Sequence, residues 1–363
     1  MRHLNPEEYQ SIKIKQFDTT IGAIHQSNIP LGKPIFIPDG QRRRAELTFS
    51  WQKKHLLLGF NAYQSHDIAN LQHCAALTAA LNNILPDVRN FLTDFCAIQT
   101  HKKIKNKIQT SQITQGEIWL TAAENGIDIL LETEAEIELE YRILISEWMQ
   151  NTPAVIRFSA ARKNKKPETI IEKTAPFINI DNHKVFISAG TFLQPSVAGE
   201  RALIDLVLKY IGNTTGNIAD LFCGIGTFSY PLSQNIKNKI LAVDSSAESL
   251  NNFQKTVNTL KIPNIKIEQK NLFKYALDTH DLKNFSAVVF DPPRAGAQSQ
   301  TKQLAALPQT EKPQKIVAIS CNPQTFVNDA NTLIAGGYQI KEITMVDQFV
   351  YTRHCELVAL FEI

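Results

Sequence analysis

The pattern of hydrophobic and polar positions changes near residue 190. Before that point, short strand-like stretches such as AELTFS, HLLLGF, GEIWLTA, GIDILLE and VIRFSAA are separated by turn residues. One helical stretch is predicted between them, from Ile68 to about Leu92 and ended by Pro86 or soon after. Short strands with few helices predict an antiparallel α+β region.

After residue 190, strand and helix patterns alternate. A helix is predicted from about Gly199 to Tyr210, and five apolar runs follow it: NIADLF, KILAVD, IKIEQK, SAVVFD and KIVAIS. Near-continuous apolar strands alternating with helices predict a parallel sheet covered on both faces. The tail predicts two strands with no helix between them. We therefore expect a Rossmann-like, doubly wound α/β domain with a C-terminal β-hairpin at 186–363, preceded by a smaller α+β domain at 1–185.

Composition limits the class of protein. The 363 residues are 43% hydrophobic and 20% charged, which is ordinary for a globular protein, and the formal net charge of +3 permits a polyanionic partner. No apolar run reaches membrane-spanning length, and the N-terminus has no apolar signal core, so a cytoplasmic protein is expected. None of the five cysteines has CxxC spacing, which favours reduced thiols and no metal site.

In a doubly wound sheet, ligands bind at the carboxyl ends of the strands. The first strand of this region ends in DLFCGIGTF, where Gly224 and Gly226 allow a tight turn and a close backbone approach to a ligand. The place of a third fingerprint glycine falls on Ser229. The second strand ends at Asp244, where an acidic side chain commonly binds ribose hydroxyls. Together they indicate an adenosine-type cofactor, although an ordinary tight turn and a helix cap would look similar.

Two later strand ends carry further candidates for chemistry. The fourth strand ends in Asp291-Pro-Pro-Arg294, and two consecutive prolines make the chain leave the sheet stiffly. The alternative is a plain proline-rich loop. The fifth strand ends in Ser-Cys321-Asn-Pro, so the cysteine precedes a predicted helix. We expect such a thiol to have a lowered pKa and to act as a nucleophile, rather than to fill the core.

The motifs DLFCGIGTF, DPPRAG, SCNP and QFVYTRHCELVALF, in this order, resemble those of the RNA (uracil-5-)-methyltransferase family over roughly residues 185–363. The segment FLQP also resembles the family, and RRRAELTF and LLLGFNAYQSHDIANLQHC do so more faintly. The resemblance implies S-adenosylmethionine as methyl donor and RNA as substrate, with Cys321 as the nucleophile that adds to uracil carbon 6 and Glu356 as the base that removes the carbon-5 proton. It implies cofactor contacts by Gln194, Phe222, Gly224, Gly226, Thr227, Asp244, Asn271 and Asp291.

The sequence departs from the family pattern in several places. Thr227 stands where many relatives carry asparagine. Many members have an N-terminal β-barrel RNA-binding module and a four-cysteine iron–sulfur cluster. We expect no barrel module, because the sequence begins too late to hold one. We expect no cluster, because Cys74 alone resembles one of the four ligand cysteines.

RNA binding would then depend on basic runs in the N-terminal half. Three such runs are RRR (42–44), HKKIKNK (101–107) and RKNKK (162–166), although any one of them could be an ordinary solvated face. The candidate phosphate contacts are Arg42, Arg43, Arg44, Lys102, Lys103 and Lys105.

Two other functions stay open at the level of sequence. One is a methyltransferase acting on cytosine or on an exocyclic amine, and the other is a non-catalytic RNA-binding protein with a methyltransferase fold. RNA cytosine-5 enzymes place their attacking cysteine after the fourth strand, where this sequence has Pro293-Arg294. This difference favours uracil as the target. The tail DQF…HCELVALF resembles the branch of the family that acts on large ribosomal RNA, which implies ribosomal RNA over transfer RNA, and we expect a monomer.

Overall fold

The structure is a computed structural model that describes residues 4–62, 65, 67–104 and 107–363; the side chains of residues 102–109 lie outside this description. The chain divides into two compact units. The first comprises Met1–Pro38, Asn179–Val185 and Gln194–Ile363, and the second comprises Asp39–Ile178 and Phe186–Leu193. The first 38 residues therefore cluster with the C-terminal part of the chain, whereas the sequence pattern placed them in the N-terminal domain.

The helices and strands are numbered in chain order. The helices are α1 (Pro6–Ile21), α2 (Ala79–Ala97), α3 (Leu139–Asn151), α4 (Val197–Ile211), α5 (Ser229–Ser233), α6 (Ala247–Leu260), α7 (Thr279–Leu282), α8 (Gln298–Ala306) and α9 (Pro323–Ala335), with a 3-10 turn at Gln309–Glu311. The strands are β1 (Ile35–Phe36), β2 (Arg44–Gln52), β3 (His55–Asn61), β4 (Ile68–Asn70), β5 (Thr100–Ile104), β6 (Lys107–Ser111), β7 (Gln115–Ala123), β8 (Gly126–Thr133), β9 (Val155–Arg162), β10 (Glu168–Glu172), β11 (Phe177–Ile180), β12 (His183–Phe186), β13 (Asn217–Leu221), β14 (Lys239–Asp244), β15 (Ile265–Gln269), β16 (Ala287–Phe290), β17 (Lys315–Ser320), β18 (Gln339–Asp347) and β19 (Glu356–Glu362).

The first unit contains an eight-stranded sheet in the order β1-β18-β19-β17-β16-β13-β14-β15. Strands β13 to β17 pair in parallel, and β19 pairs antiparallel with both β17 and β18. The strand order reverses between β13 and β16, which is the topological switch point where ligands bind in such sheets. All five predicted parallel strands and the terminal hairpin are present.

Residue type explains why these strands form the centre of the unit. Every residue of β16 is buried, and the first six of the seven residues of β19 are also buried. Strands covered on both faces need such continuous apolar runs. Polar residues follow two of these strands and cap the next helix: Ser246 begins α6 after β14, and Asn322 begins α9 after β17. The pattern thus places the polar side chains at the carboxyl edge of the sheet.

The N-terminal helix α1 belongs to this unit through its few buried residues. Asn5 and Glu8 form a capping box at its start, with Pro6 at the first helical position. Phe17 is buried in the core of the unit, and strand β1 adds to the edge of the sheet beside β18. The helix is mostly polar, so these few contacts were not apparent from the sequence.

The second unit contains a seven-stranded sheet in the order β10-β9-β8-β7-β2-β3-β4. Its pairs are antiparallel except for β8 and β9, which are connected through α3 and run in parallel. Its core combines side chains from the sheet and from α2 and α3, including a group of packed aromatic rings around Phe91. The predicted α+β character of this region matches the observed architecture.

Helix α2 differs from its predicted position. It begins at Ala79 after the N-cap Thr78, continues through Pro86 and ends at Ala97, whereas Ile68 lies in strand β4. A proline inside a helix costs about 3 kcal/mol. The helix buries eight residues on both sides of Pro86, and each large apolar side chain contributes roughly 1.5–3 kcal/mol, which outweighs that cost.

Within the described part of the chain, no helix combines the length and apolar character needed to cross a membrane.

Candidate active site

Cys321 lies between the end of β17 and the start of α9. The Asn322 side chain accepts the Gln324 N–H at 3.1 Å and donates to the carbonyl of Arg294 at 2.9 Å. The Ser320 hydroxyl accepts the Asn322 N–H at 3.2 Å. Cys321 itself is partly exposed. The SCNP turn therefore fixes the cysteine at the carboxyl edge of the sheet and ties it to the loop that follows β16.

The surroundings of Cys321 are more acidic than the sequence indicated. Burial, followed by the nearby carboxyls of Glu356 and Asp291, raises the pKa of the Cys321 thiol to about 12, whereas Arg294 opposes that rise. The prediction of a lowered thiol pKa is therefore wrong for this arrangement. Burial, together with the carboxyls of Glu356 and Asp291, outweighs the favourable position beside a helix start.

A chain of buried side-chain amides connects the two carboxyls. Gln194 Nε2 donates to Asp291 Oδ2 at 2.8 Å, and Gln348 Nε2 donates to Gln194 Oε1 at 2.9 Å. The same Gln348 nitrogen donates to Glu356 Oε1 at 3.1 Å. The other carboxylate oxygen of Glu356, Oε2, is buried without a hydrogen-bond partner in the structure. One oxygen of Glu356 is thus held in place and the other remains available.

Burial also perturbs both carboxyls. It raises the pKa of Asp291 to about 7, while the hydrogen bond from Gln194 opposes the rise. Burial first, and then the charge of Asp291, raises the pKa of Glu356 to about 8. A carboxyl with a pKa near neutrality is suited to general base catalysis at physiological pH.

The glycine-rich turn after β13 faces the end of β14. Gly224 has φ +56° with open space where a Cβ would stand, and Gly226 has φ +92° with a Cβ position only 2.5 Å from the Phe253 ring. Asp244 accepts the Gly224 N–H at 3.0 Å and the Ser246 N–H at 2.8 Å. The two predicted signals, the turn and the acidic strand end, are therefore brought together.

Aromatic residues flank the same turn. Phe222 has φ +60°, and its ring centroid lies 5.4 Å from that of Phe273, a residue that no sequence motif marks. The side chain of Asn271 accepts the N–H groups of Phe273 and Lys274, so it also shapes the loop after β15. Thr227 is partly exposed on the glycine turn.

Two polar residues near this edge were not predicted from the sequence. Asp220 is fully buried on β13, accepts a hydrogen bond from Ser229 at 2.5 Å and has one oxygen without a partner. Burial raises the pKa of its carboxyl to about 7. An acid inside the apolar run NIADLF was a usable signal. Gln348, which contacts Gln194 and Glu356, gave no comparable signal.

The predicted RNA contacts lie in the second unit, and the three arginines among them, whose side chains the structure describes, do not form an exposed basic face. Arg43 is only 2% exposed, so it is corrected from a phosphate contact to an interior residue. Arg42 and Arg44 stack over the rings of Phe60 and Trp119 at 5.8 and 4.8 Å. Burial lowers the pKa of both guanidinium groups. The side chains of Lys102 and Lys103, and all of Lys105, lie outside the described residues.

Sequence comparisons relate this chain to known RNA methyltransferases. A sequence model of the family described as tRNA (uracil-5-)-methyltransferase matches residues 157–362. The chain is 33% identical to an uncharacterized RNA methyltransferase of Brucella melitensis, over 99% of this chain and 80% of that protein. It is 28% identical to the 23S rRNA (uracil(1939)-C(5))-methyltransferase RlmD of Pasteurella multocida, over 90% of this chain and 71% of that protein.

A solved structure shares the fold. The Pyrococcus abyssi tRNA (uracil-54, C5)-methyltransferase, in complex with S-adenosyl-L-homocysteine, has a TM-score of 0.71 and 20% identity. The likeness covers 99% of this chain and 84% of that one. It confirms the predicted Rossmann-like fold class.

The family match takes in the glycine turn, the DPPR loop, the SCNP turn and the terminal hairpin. With the Brucella relative matching across nearly the whole chain, it confirms the predicted enzyme class and methyl donor. The chain therefore belongs to the tRNA (uracil-5-)-methyltransferase family of S-adenosylmethionine-dependent RNA methyltransferases.

Proposed function

We propose that this protein methylates carbon 5 of a uridine in ribosomal RNA, with Cys321 as the covalent nucleophile and Glu356 as the base. One observation carries the proposal. The thiol of Cys321 and the buried carboxyl of Glu356 lie near enough at one edge of the sheet for the carboxyl to raise the thiol pKa. A nucleophile and a base that share one site are what substitution at carbon 5 of uracil requires.

The chain's own residues fit the methyl donor. The Gly224–Gly226 turn gives open backbone, and the anchored carboxylate of Asp244 faces it, as ribose recognition needs. Asp220, Asp244 and Asp291 lie near enough for their charges to interact, which suits a positively charged ligand. Further contacts are proposed for Gln194, Phe222, Thr227 and Asn271. When bound, S-adenosylmethionine supplies an electrophilic methyl group on a sulfonium sulfur.

Cys321 opens the reaction. Its thiol first loses its proton, and since the residue is partly exposed, that proton can leave to solvent. The thiolate sulfur then bonds to carbon 6 of uracil, and the electron pair of the 5,6 double bond moves toward carbon 5 and the carbonyl at carbon 4. Carbon 5 thereby becomes nucleophilic. The target base must leave its stack to reach the thiol, as base-modifying enzymes require.

Glu356 closes the reaction. After methylation, carbon 5 still carries its proton, and Glu356 accepts that proton through Oε2, the oxygen without a hydrogen-bond partner. The freed electron pair restores the 5,6 double bond, and the bond between carbon 6 and Cys321 breaks. Gln348 holds Oε1 throughout. The raised pKa of Glu356 makes its carboxylate a stronger base than an ordinary surface carboxylate.

Ribosomal RNA is proposed as the substrate because two relatives, those of Pasteurella multocida and Histophilus somni, are named as 23S rRNA methyltransferases. The test is to incubate the purified protein and S-adenosylmethionine with 23S rRNA and with tRNA from a strain that lacks the gene. Mass spectrometry of the digested RNA should show 5-methyluridine in the 23S sample. A product in tRNA alone would make tRNA the substrate instead of ribosomal RNA. 5-Methylcytidine or no product would refute the proposal.

A further inference from the structure

The N-terminal helix α1 buries a lysine although the helix is mostly polar. Lys13 is 0% exposed, and its Nζ lies 2.8 Å from Asp347 Oδ1. The same nitrogen donates to the carbonyl of His354 at 2.5 Å. A buried ammonium is costly unless it is paired and hydrogen-bonded. The buried ammonium of Lys13 is therefore stable only while Asp347 and the carbonyl of His354 keep these positions.

Tyr9, one turn earlier on α1, contacts the same segment. Its hydroxyl donates to Asp347 Oδ2 at 2.5 Å and accepts the N–H of Tyr351 at 3.1 Å. The two tyrosine rings lie 5.8 Å apart. Tyr351 has φ +67°, a conformation that costs a residue with a side chain and persists only where the surroundings determine it. Tyr9 supplies a hydrogen bond that holds it.

These partners surround residues 348–355, which we call the hairpin turn because they join β18 to β19. Asp347 immediately precedes Gln348, and His354 lies two residues before Glu356. Gln348 and Glu356 are themselves hydrogen-bonded across the turn. Helix α1 therefore holds both ends of the hairpin turn, which begins with Gln348 and leads directly into Glu356, the proposed base.

We propose that Tyr9 and Lys13 are positioning residues, which hold the hairpin turn so that Gln348 keeps Glu356 aligned for proton removal. The inference rests on the proposed role of Glu356 as the base. Helix α1 lies outside residues 157–362, the segment that the family model matches, so the anchor comes from a separate part of the chain. Cys321 lies between β17 and α9, and none of the hydrogen bonds of Tyr9 or Lys13 described above reaches either element.

The variants Tyr9→Phe and Lys13→Met test whether these residues act on the alignment of Glu356 and not on Cys321. Tyr9→Phe removes one hydroxyl and keeps the ring, so it reports even where Lys13→Met, which leaves Asp347 buried without its cation, does not fold. Lys15→Met is the matched control, because Lys15 is exposed on the same helix. Two RNAs serve as substrates with S-adenosylmethionine: ordinary uridine RNA, and 5-fluorouridine RNA, from which the base cannot remove the fluorine.

In both test variants, trapping on 5-fluorouridine RNA should proceed at the wild-type rate, because it needs Cys321 and methyl transfer but no proton removal. Turnover on ordinary RNA should fall by about 100-fold in Lys13→Met, the loss that misplacement of a catalytic group by about 1 Å can produce. A covalent protein–RNA species should accumulate on ordinary RNA. The Lys15→Met control should match the wild type in both assays.

Wild-type turnover in both test variants would overturn the inference, as would an equal fall in trapping and turnover, which would indicate a structural role alone. Amide hydrogen exchange gives a readout that does not depend on the chemistry. Exchange in residues 349–354 should accelerate in Lys13→Met while β17 stays protected, and unchanged exchange would contradict the anchor. Wild-type protein that fails to trap fluorouridine RNA, with accelerated exchange in the variant, would refute the proposed function and leave the anchor standing.

Discussion

Replacing Glu356 with glutamine should stabilise the protein at alkaline pH while it removes the proposed base. Glu356 is 3% exposed on β19, and one of its carboxylate oxygens is buried without a partner. Burial and the charge of Asp291 raise its pKa from the ordinary value of 4.5 to about 8. Burial, an oxygen without a partner and a raised pKa are typical of a carboxylate that is kept for catalysis at the expense of stability.

The pH dependence follows from the raised pKa of Glu356. Because the pKa is higher in the folded state, the protonated carboxyl contributes stability that is fully present below about pH 4.5 and is lost as the pH rises through about 8. A difference of one in pKa corresponds to about 1.4 kcal/mol. The rise from 4.5 to about 8 therefore predicts that Glu356→Gln gains roughly 4 kcal/mol over the wild type at pH 8 and less than about 1 kcal/mol at pH 5.

The assay must report on the first unit. Trp51, Trp119 and Trp148 all lie in the second unit, so tryptophan fluorescence would follow the wrong part of the molecule. Amide exchange of β19 peptides, compared between variant and wild type at each pH, gives the required free-energy difference. Glu362→Gln is the matched control, because Glu362 is partly exposed on the same strand. The same stability difference at pH 5 and pH 8 for Glu356→Gln would show that the carboxyl does not ionise in this range.

Three further outcomes follow from the site. Asp244→Ala should weaken S-adenosylmethionine binding by about 2 kcal/mol, roughly thirty-fold in Kd, when measured by calorimetry; equal affinity would remove the ribose assignment. The single-turnover rate should rise from pH 6 to pH 9, because Glu356 and Cys321 both have raised pKa values and must both lose a proton; a flat profile would argue against these roles. Anaerobically purified protein should be colourless and iron-free, and stoichiometric iron would contradict the expectation that the cysteines hold no iron–sulfur cluster.

The parallel sheet could be predicted from the sequence because its strands are buried on both faces. The runs KILAVD and KIVAIS correspond to β14 and β17 residue for residue. The polar residues that end such strands necessarily meet at one edge, so Asp244 and Cys321 could be named in advance. Helix α2 was harder to place, because the expected break at Pro86 is overcome by apolar burial on both sides of it.

What the sequence could not show depends on contacts between distant residues. Lys13 and Asp347 are 334 positions apart, and nothing local to either marks them as a buried pair. The raised pKa of Cys321 also depends on the fold, because it arises first from burial and then from the carboxyls of Glu356 on β19 and Asp291 after β16. Gln348 has meaning only once the fold places its amide between Gln194 and Glu356.

Every step of the proposed reaction depends on a covalent bond between Cys321 and carbon 6 of uracil. Incubating the protein with S-adenosylmethionine and 5-fluorouridine RNA, and then denaturing the mixture, detects that bond. Fluorine at carbon 5 cannot be removed as a cation, so the covalent adduct cannot break down. Cytosine enzymes would not trap on this RNA, and amine methyltransferases or non-catalytic RNA-binding proteins would form no thiol adduct.

We expect a denaturation-resistant protein–RNA species with the wild-type protein, which peptide mapping should place at Cys321, and none with Cys321→Ala. Methylation of ordinary uridine RNA should also be lost in that variant. Full methylation of uridine by Cys321→Ala would rule out covalent catalysis by this thiol.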